Sequence, residues 1–123
     1  MKLTTEVNLA NFDKEVLNAN QAVLVEFWTE ACSACETMAP MLEEIALKYS
    51  GRVKIVRINV DENPMLAERH HVQNTPSYIF FSKGLVRDQI VGMVSEHVIV
   101  SKLDQFLEFK LFKNAPTNKS ASH

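Results

Sequence analysis

The stretch Val25-Glu26-Phe27-Trp28-Thr29-Glu30-Ala31-Cys32-Ser33-Ala34-Cys35 decides how the rest of the chain is read. An apolar run ends at Trp28, three small or polar residues follow, and the only two cysteines of the protein then stand three positions apart. Beyond them Met38, Met41, Leu42, Ile45, Ala46 and Tyr49 recur at helical spacing, and Ser50-Gly51 ends the pattern. The reading is a strand, a short turn, and a dithiol at a helix N-terminus. Pro40 falls inside the helical pattern and is expected to kink the helix, because the periodicity continues past it.

Working outward, Ala22-Val23-Leu24-Val25-Glu26-Phe27-Trp28 is nearly continuous apolar sequence, as in a central strand covered on both faces. Val53 to Val60 reads as a second buried strand. Upstream, Lys2 to Val7 fits a short edge strand, and Asn8 can cap a helix carrying Leu9, Phe12, Val16 and Leu17 on one face. Asn63-Pro64 resembles a cap followed by proline at the first helical position, opening a short helix through Arg69. Ser77 to Phe81 and Leu85 to Val91 flank a Lys83-Gly84 turn and predict an antiparallel hairpin. Ser95 can cap a last helix with Val98, Ile99, Leu103, Phe106, Leu107 and Leu111 inward. Strands alternating with helices imply an α/β fold, a mixed sheet with helices on both faces. Residues 1–112 are expected to form one domain and residues 113–123, polar in composition, a flexible tail.

The length of 123 residues allows a single core, and a charged fraction of 23% is that of an ordinary globular protein. Thirteen basic against fifteen acidic residues leave a net charge of -2, which offers no basic surface to nucleic acid. No apolar run is long enough to span a membrane. Met1 to Glu6 has no signal-peptide character, so the cytoplasm is the expected location. Nothing in the pattern calls for an obligate dimer, and a monomer is expected.

A disulfide between Cys32 and Cys35 would close a loop of four residues. Chain entropy then contributes roughly 2 kcal/mol, against about 4.5 for a loop near 100 residues. Such a bond is a poor staple, and a reactive pair is the better reading. Cys32 lies where the helix begins, and unpaired amides and the helix dipole favour its thiolate. Cys35 lies one turn further on the same face and can resolve a mixed disulfide on Cys32. Cys32 is thus the expected nucleophile and Cys35 the resolving thiol.

Glu26 interrupts the apolar strand and has two readings. One is a strand-face glutamate that reaches solvent. The other is a partly buried carboxyl of raised pKa that exchanges a proton with Cys35 during resolution. Arg57, on the neighbouring strand, either pairs with Glu26 and offsets that shift or occupies a solvated position. Zinc needs more ligands than two cysteines supply, and the adjacent His70-His71 point in different directions. No metal or other cofactor is expected.

These residues together resemble the thioredoxin family. The resemblance is carried by Val25-Glu26-Phe27-Trp28, Cys32-Ser33-Ala34-Cys35, Pro40, Ile58-Asn59-Val60-Asp61-Glu62-Asn63-Pro64, Thr75-Pro76, Phe81-Ser82-Lys83-Gly84 and Val91-Gly92. It implies the thioredoxin fold, a mixed five-stranded sheet flanked by four helices. It implies reduction of protein disulfides through Cys32 and Cys35, with disulfide-containing client proteins as substrates and a thioredoxin reductase as the recharging partner. It also implies a cis Pro76 beside the dithiol, Thr75 offering backbone hydrogen bonds to a substrate chain, and a shallow apolar rim of Trp28, Thr75, Pro76, Gly92 and Met93.

The chain departs from the family pattern at four places. Ser33-Ala34 stands where Gly-Pro is usual, Ala31 where Trp is usual, Glu26 where Asp is usual, and Arg57 where Lys is usual. Without proline, Ala34 regains an amide N–H that can favour the Cys32 thiolate, so a less reducing dithiol is expected. Ala31 flattens the rim that a standard reductase would contact. The competing functional class is a specialised or non-catalytic binding module dedicated to one partner.

Overall fold

The structure, a computed structural model, describes residues 2–113, with side chains to residue 107. Five strands form one sheet: β1 (Thr5–Glu6), β2 (Ala22–Trp28), β3 (Val53–Asn59), β4 (Ser77–Ser82) and β5 (Leu85–Val91). Their lateral order is β1-β3-β2-β4-β5. β1 and β2 both run parallel to β3, β4 is antiparallel to β2, and β5 is antiparallel to β4. Four helical segments complete the fold: a five-residue π-helix (Asp13–Leu17), α1 (Ser33–Lys48), α2 (Pro64–Arg69) and α3 (Glu96–Lys113). This is the thioredoxin-type α/β architecture that the sequence implied.

β2 is central because its side chains are apolar on both faces, so it must be covered on both. Leu24 joins Met38, Leu42, Ile45, Tyr49, Ile55, Phe80, Ile99 and Leu103 on the face of α1 and α3. Val23, Val25 and Phe27 join Val7, Phe12, Val16, Ile58, Leu66 and Phe81 on the face of the π-helix and α2. Each fully buried side chain of this size contributes about 1.5–3 kcal/mol relative to exposure. The Tyr49 hydroxyl donates to Asp104 Oδ1 at 2.5 Å and ties the end of α1 to α3. The Leu3 amide and the Thr4 hydroxyl both donate to Glu43, which fastens the N-terminal segment onto α1. In the β4–β5 turn Gly84 has φ +77°, where a side chain would be strained, and a Cβ there would stand a tight 3.1 Å from the Leu17 carbonyl oxygen, so glycine is favoured on two counts.

Several local expectations need revision. Asn8 and Asn11 exchange side chain-to-amide hydrogen bonds at 2.8 and 3.1 Å, closing a turn before the helix proper. The wound segment therefore starts at Asp13, with Asn18 N–H reaching back to the Asp13 carbonyl, and Leu9 is left exposed while Phe12 and Val16 face inward. Asn63 stands at the N-cap of α2 but its side chain does not cap it. Its Oδ1 accepts from the Leu9 amide and its Nδ2 donates to the Asn59 carbonyl, joining the loop after β1 to the end of β3 instead. In α3, Ile99 and Leu103 are buried one turn apart, while Val98 turns outward. Pro40 removes one backbone hydrogen bond without ending α1. Leu111 as an inward side chain lies outside the described residues. So does the tail, apart from Lys113, which closes α3.

Candidate functional site

β2 delivers the chain to the site. After Trp28 the backbone turns once, with the Cys32 amide donating to the Thr29 carbonyl at 3.2 Å. Cys32 then takes an extended conformation (φ -87°, ψ 97°) and serves as the N-cap of α1. Its sulfur accepts a hydrogen bond from the Cys35 amide at 3.0 Å. A sulfur so placed faces the unpaired amides and the positive end of the helix dipole. The two cysteines are joined as a disulfide, with their Cα atoms 5.2 Å apart. Cys35 is only 2% exposed, whereas Cys32 is half-buried, so the two sulfurs differ in access. Between them Ser33 is exposed and Ala34 half-buried, and Ala31 is exposed on the approach.

The other end of the site comes from β4 and β5. Ser77 pairs with Phe27 on one side and Val91 on the other, so Pro76 and Gly92 lie together at the sheet end from which Trp28 emerges. The Thr75-Pro76 peptide bond is cis. The Gly92 amide donates to the Pro76 carbonyl at 2.8 Å, and Gly92 has φ +92°, a conformation that favours glycine. Thr75 is half-buried, Pro76 buried, and Met93 is 61% exposed, an apolar side chain held out to solvent. The structure thus brings Trp28, Thr75, Pro76 and Gly92 to one end of the sheet, with Met93 directly after them.

Glu26 does not reach solvent; it is 0% exposed. The Arg57 Nε donates to its Oε1 at 2.7 Å, and the Tyr78 hydroxyl donates to its Oε2 at 3.3 Å. Burial pushes the carboxyl above the usual carboxylate range, and the bonds from Arg57 and Tyr78 offset that only in part. Burial and the neighbouring carboxylate push the Tyr78 hydroxyl far up, so it remains a donor. Tyr78 also lies 3.4 Å from Met38 Sδ, which links the carboxyl to α1 one turn beyond Cys35. Arg57 stacks its guanidinium 4.5 Å from the centre of the Trp28 ring. The indole N–H of Trp28 is itself buried and meets no acceptor among the described residues.

Two participants escaped the sequence reading. Tyr78 is the only hydroxyl-bearing aromatic in an otherwise phenylalanine- and isoleucine-rich strand, and that was the available signal. Glu6 lies 3.5 Å from Arg57 Nη1 but has no sequence feature that marks it. His70 is a packing residue, set against Phe12, Phe27 and Phe81, and His71 is exposed with φ 59° at the end of α2. Among the described residues no three His, Cys, Asp or Glu side chains gather as metal ligands.

Comparison with known proteins agrees with this geometry. The Thioredoxin family model matches residues 3–105. The chain is similar to thioredoxin from Synechocystis sp., 36% identical over 107 residues that cover 87% of this chain and all of that protein. It is also similar to thioredoxin 1 from Synechococcus elongatus, 37% identical over the same shares. Thioredoxin 2 from Chlorobaculum tepidum is 37% identical over 79% of this chain and 89% of its own length.

The raised Glu26 carboxyl has a consequence for stability. An acid whose folded pKa exceeds its unfolded value of about 4.3 contributes stability below that value and loses it as pH rises through the folded pKa. The stability of the oxidised wild type relative to Glu26→Gln is therefore expected to fall as pH rises past the unfolded value. Urea unfolding at a series of pH values measures this difference. A difference that stays flat or grows with pH would contradict the assigned environment.

Proposed function

The chain belongs to the thioredoxin family and is a thiol–disulfide oxidoreductase that reduces protein disulfides, and from that premise we propose that Cys32 is its nucleophile and Cys35 its resolving thiol. The observation that carries this division is the hydrogen bond from the Cys35 amide to Cys32 Sγ at the head of α1. In the reduced protein the same amide and the helix dipole favour a Cys32 thiolate. That thiolate attacks one sulfur of a client disulfide. The client S–S bond breaks, one client thiolate leaves and takes a proton, and Cys32 holds the other half as a mixed disulfide.

Cys35 then loses its proton to the Glu26 carboxylate and attacks Cys32 Sγ. The second client sulfur leaves as a thiolate and takes that proton from Glu26, and the Cys32–Cys35 disulfide forms. Two electrons and two protons have passed to the client. A carboxyl whose pKa is raised by burial accepts a proton more readily than an ordinary carboxylate does. Trp28, Thr75, Pro76, Gly92 and Met93 are assigned to the surface that receives the client chain, with the exposed Met93 and the glycine at 92 leaving it open and apolar. Ser33, Ala34 and Arg57 tune the pair.

The folded unit is assigned to residues 1–112 and acts as a monomer. Its return to the dithiol is assigned to a thioredoxin reductase in the cytoplasm, a compartment that keeps thiols reduced. Among the described residues no helix is long and apolar enough to cross a membrane. A non-catalytic binding module would have no use for a dithiol with one buried and one accessible sulfur.

A reductant-driven insulin-precipitation assay should show activity in the wild type and none in Cys32→Ser, while Cys35→Ser should accumulate the client as a mixed disulfide. Glu26→Gln should slow mixed-disulfide release by roughly 10²-fold, the lower end for a positioned acid–base group. Repeating the assay with NADPH and a thioredoxin reductase tests recycling across the flattened rim at Ala31. An inactive wild type would overturn the reading. Separately, equilibration with glutathione should place the potential above the value of about -270 mV found for thioredoxin. An equal or lower value would remove Ser33 and Ala34 as tuning residues.

A further inference from the structure

A row of polar side chains crosses the sheet at one level. Glu6 on β1 is in register with Arg57 on β3, Arg57 with Glu26 on β2, and Glu26 with Tyr78 on β4. Residues in register point to the same face, so the four side chains lie side by side from the sheet edge to its centre. Arg57 is the shared member. Its Nε gives a short bond to Glu26 Oε1 at 2.7 Å, and its Nη1 lies 3.5 Å from Glu6 Oε2. Its flat face covers the Trp28 ring at 4.5 Å. Half of the Glu6 side chain is exposed, whereas that of Arg57 is 12% exposed and that of Glu26 fully enclosed.

We propose that Glu6 is a positioning residue of the redox site: it draws on the Arg57 guanidinium from the sheet edge and so sets how much of that positive charge the buried Glu26 carboxyl receives. The proposal rests on the reading that Glu26 handles the Cys35 proton. Arg57 turns its Nε to one carboxylate and its Nη1 to another on the opposite flank, so one positive charge is shared between two negative ones. The charged and titratable groups that bear on Glu26 are Arg57 from β3, Tyr78 from β4 and Glu6 from β1. Removing the Glu6 charge frees Arg57 toward Glu26 and also removes a like charge. Both effects strengthen the Glu26 carboxylate, so both push its titration the same way. Because Glu6 is partly in water, its influence is small and sensitive to salt.

The test is a carbon-13 NMR titration of the Glu26 side-chain carboxyl in the full oxidised chain at low ionic strength. Glu6→Gln should lower the Glu26 midpoint by a few tenths of a pH unit relative to wild type, the size expected of an exposed ion pair. Glu6→Lys should lower it further. Raising the salt should bring the wild type toward Glu6→Gln. Equal midpoints in the three proteins, or a shift upward, would overturn the proposal. The pH profile of mixed-disulfide resolution in wild type and Glu26→Gln separates it from the reading beneath it. If the two profiles share the same inflection, the role of Glu26 fails, while the NMR midpoints still decide whether Glu6 acts on it.

Discussion

The hydrogen bond from the Cys35 amide to Cys32 Sγ ties the chemistry of this protein to its fold. A helix must begin somewhere, and its first amides need acceptors that the helix cannot supply. Here one acceptor is a sulfur. The strand β2 ends at Trp28, a single turn closes on the Thr29 carbonyl, and Cys32 arrives in the extended conformation that an N-cap requires. The third residue of the helix is then Cys35, one turn in and buried beneath the first sulfur. Access, electrostatics and spacing all follow from where α1 starts.

The second constraint is a buried carboxyl in the central strand. A lone carboxylate with no exposure would be strongly disfavoured. Glu26 is tolerated because the neighbouring strands set partners beside it, a guanidinium from β3 and a phenol from β4. The pairing does not return it to ordinary acidity, since burial outweighs both bonds. An ion pair of this kind adds little to stability on its own account. The carboxyl is fixed in the strand that leads into the dithiol. Arg57 belongs to both parts of the site, bonded to the carboxyl and stacked on the rim tryptophan.

Much of this was legible in the linear pattern. The bounds of β2 could be read residue for residue, because a strand covered on both faces is apolar throughout and stops where the apolar run stops. α1 was visible through its proline, because six apolar positions at helical spacing outweigh one missing hydrogen bond. Misreadings clustered where a side chain had two possible acceptors or donors. Asn63 looks like a cap but is claimed by Leu9 and Asn59, residues that only the folded chain brings near. Asn8 closes a turn with Asn11 ahead of the helix, and Leu9 within that turn stays exposed. Tyr78 and Glu6 could not be placed beside Glu26 and Arg57 without the strand order, because register across a sheet is not written in any one strand. Arg57 was within reach of sequence reasoning only because its strand had already been set beside β2.

The start of α1 makes the two cysteines unequal, and their reactivity reports that inequality. The fully reduced protein, treated at neutral pH with a limiting amount of iodoacetamide and then peptide-mapped, reports which sulfur is the accessible thiolate. The N-cap position of Cys32 and the burial of Cys35 predict alkylation almost wholly at Cys32. Equal labelling of the two, or preferential labelling of Cys35, would contradict the account.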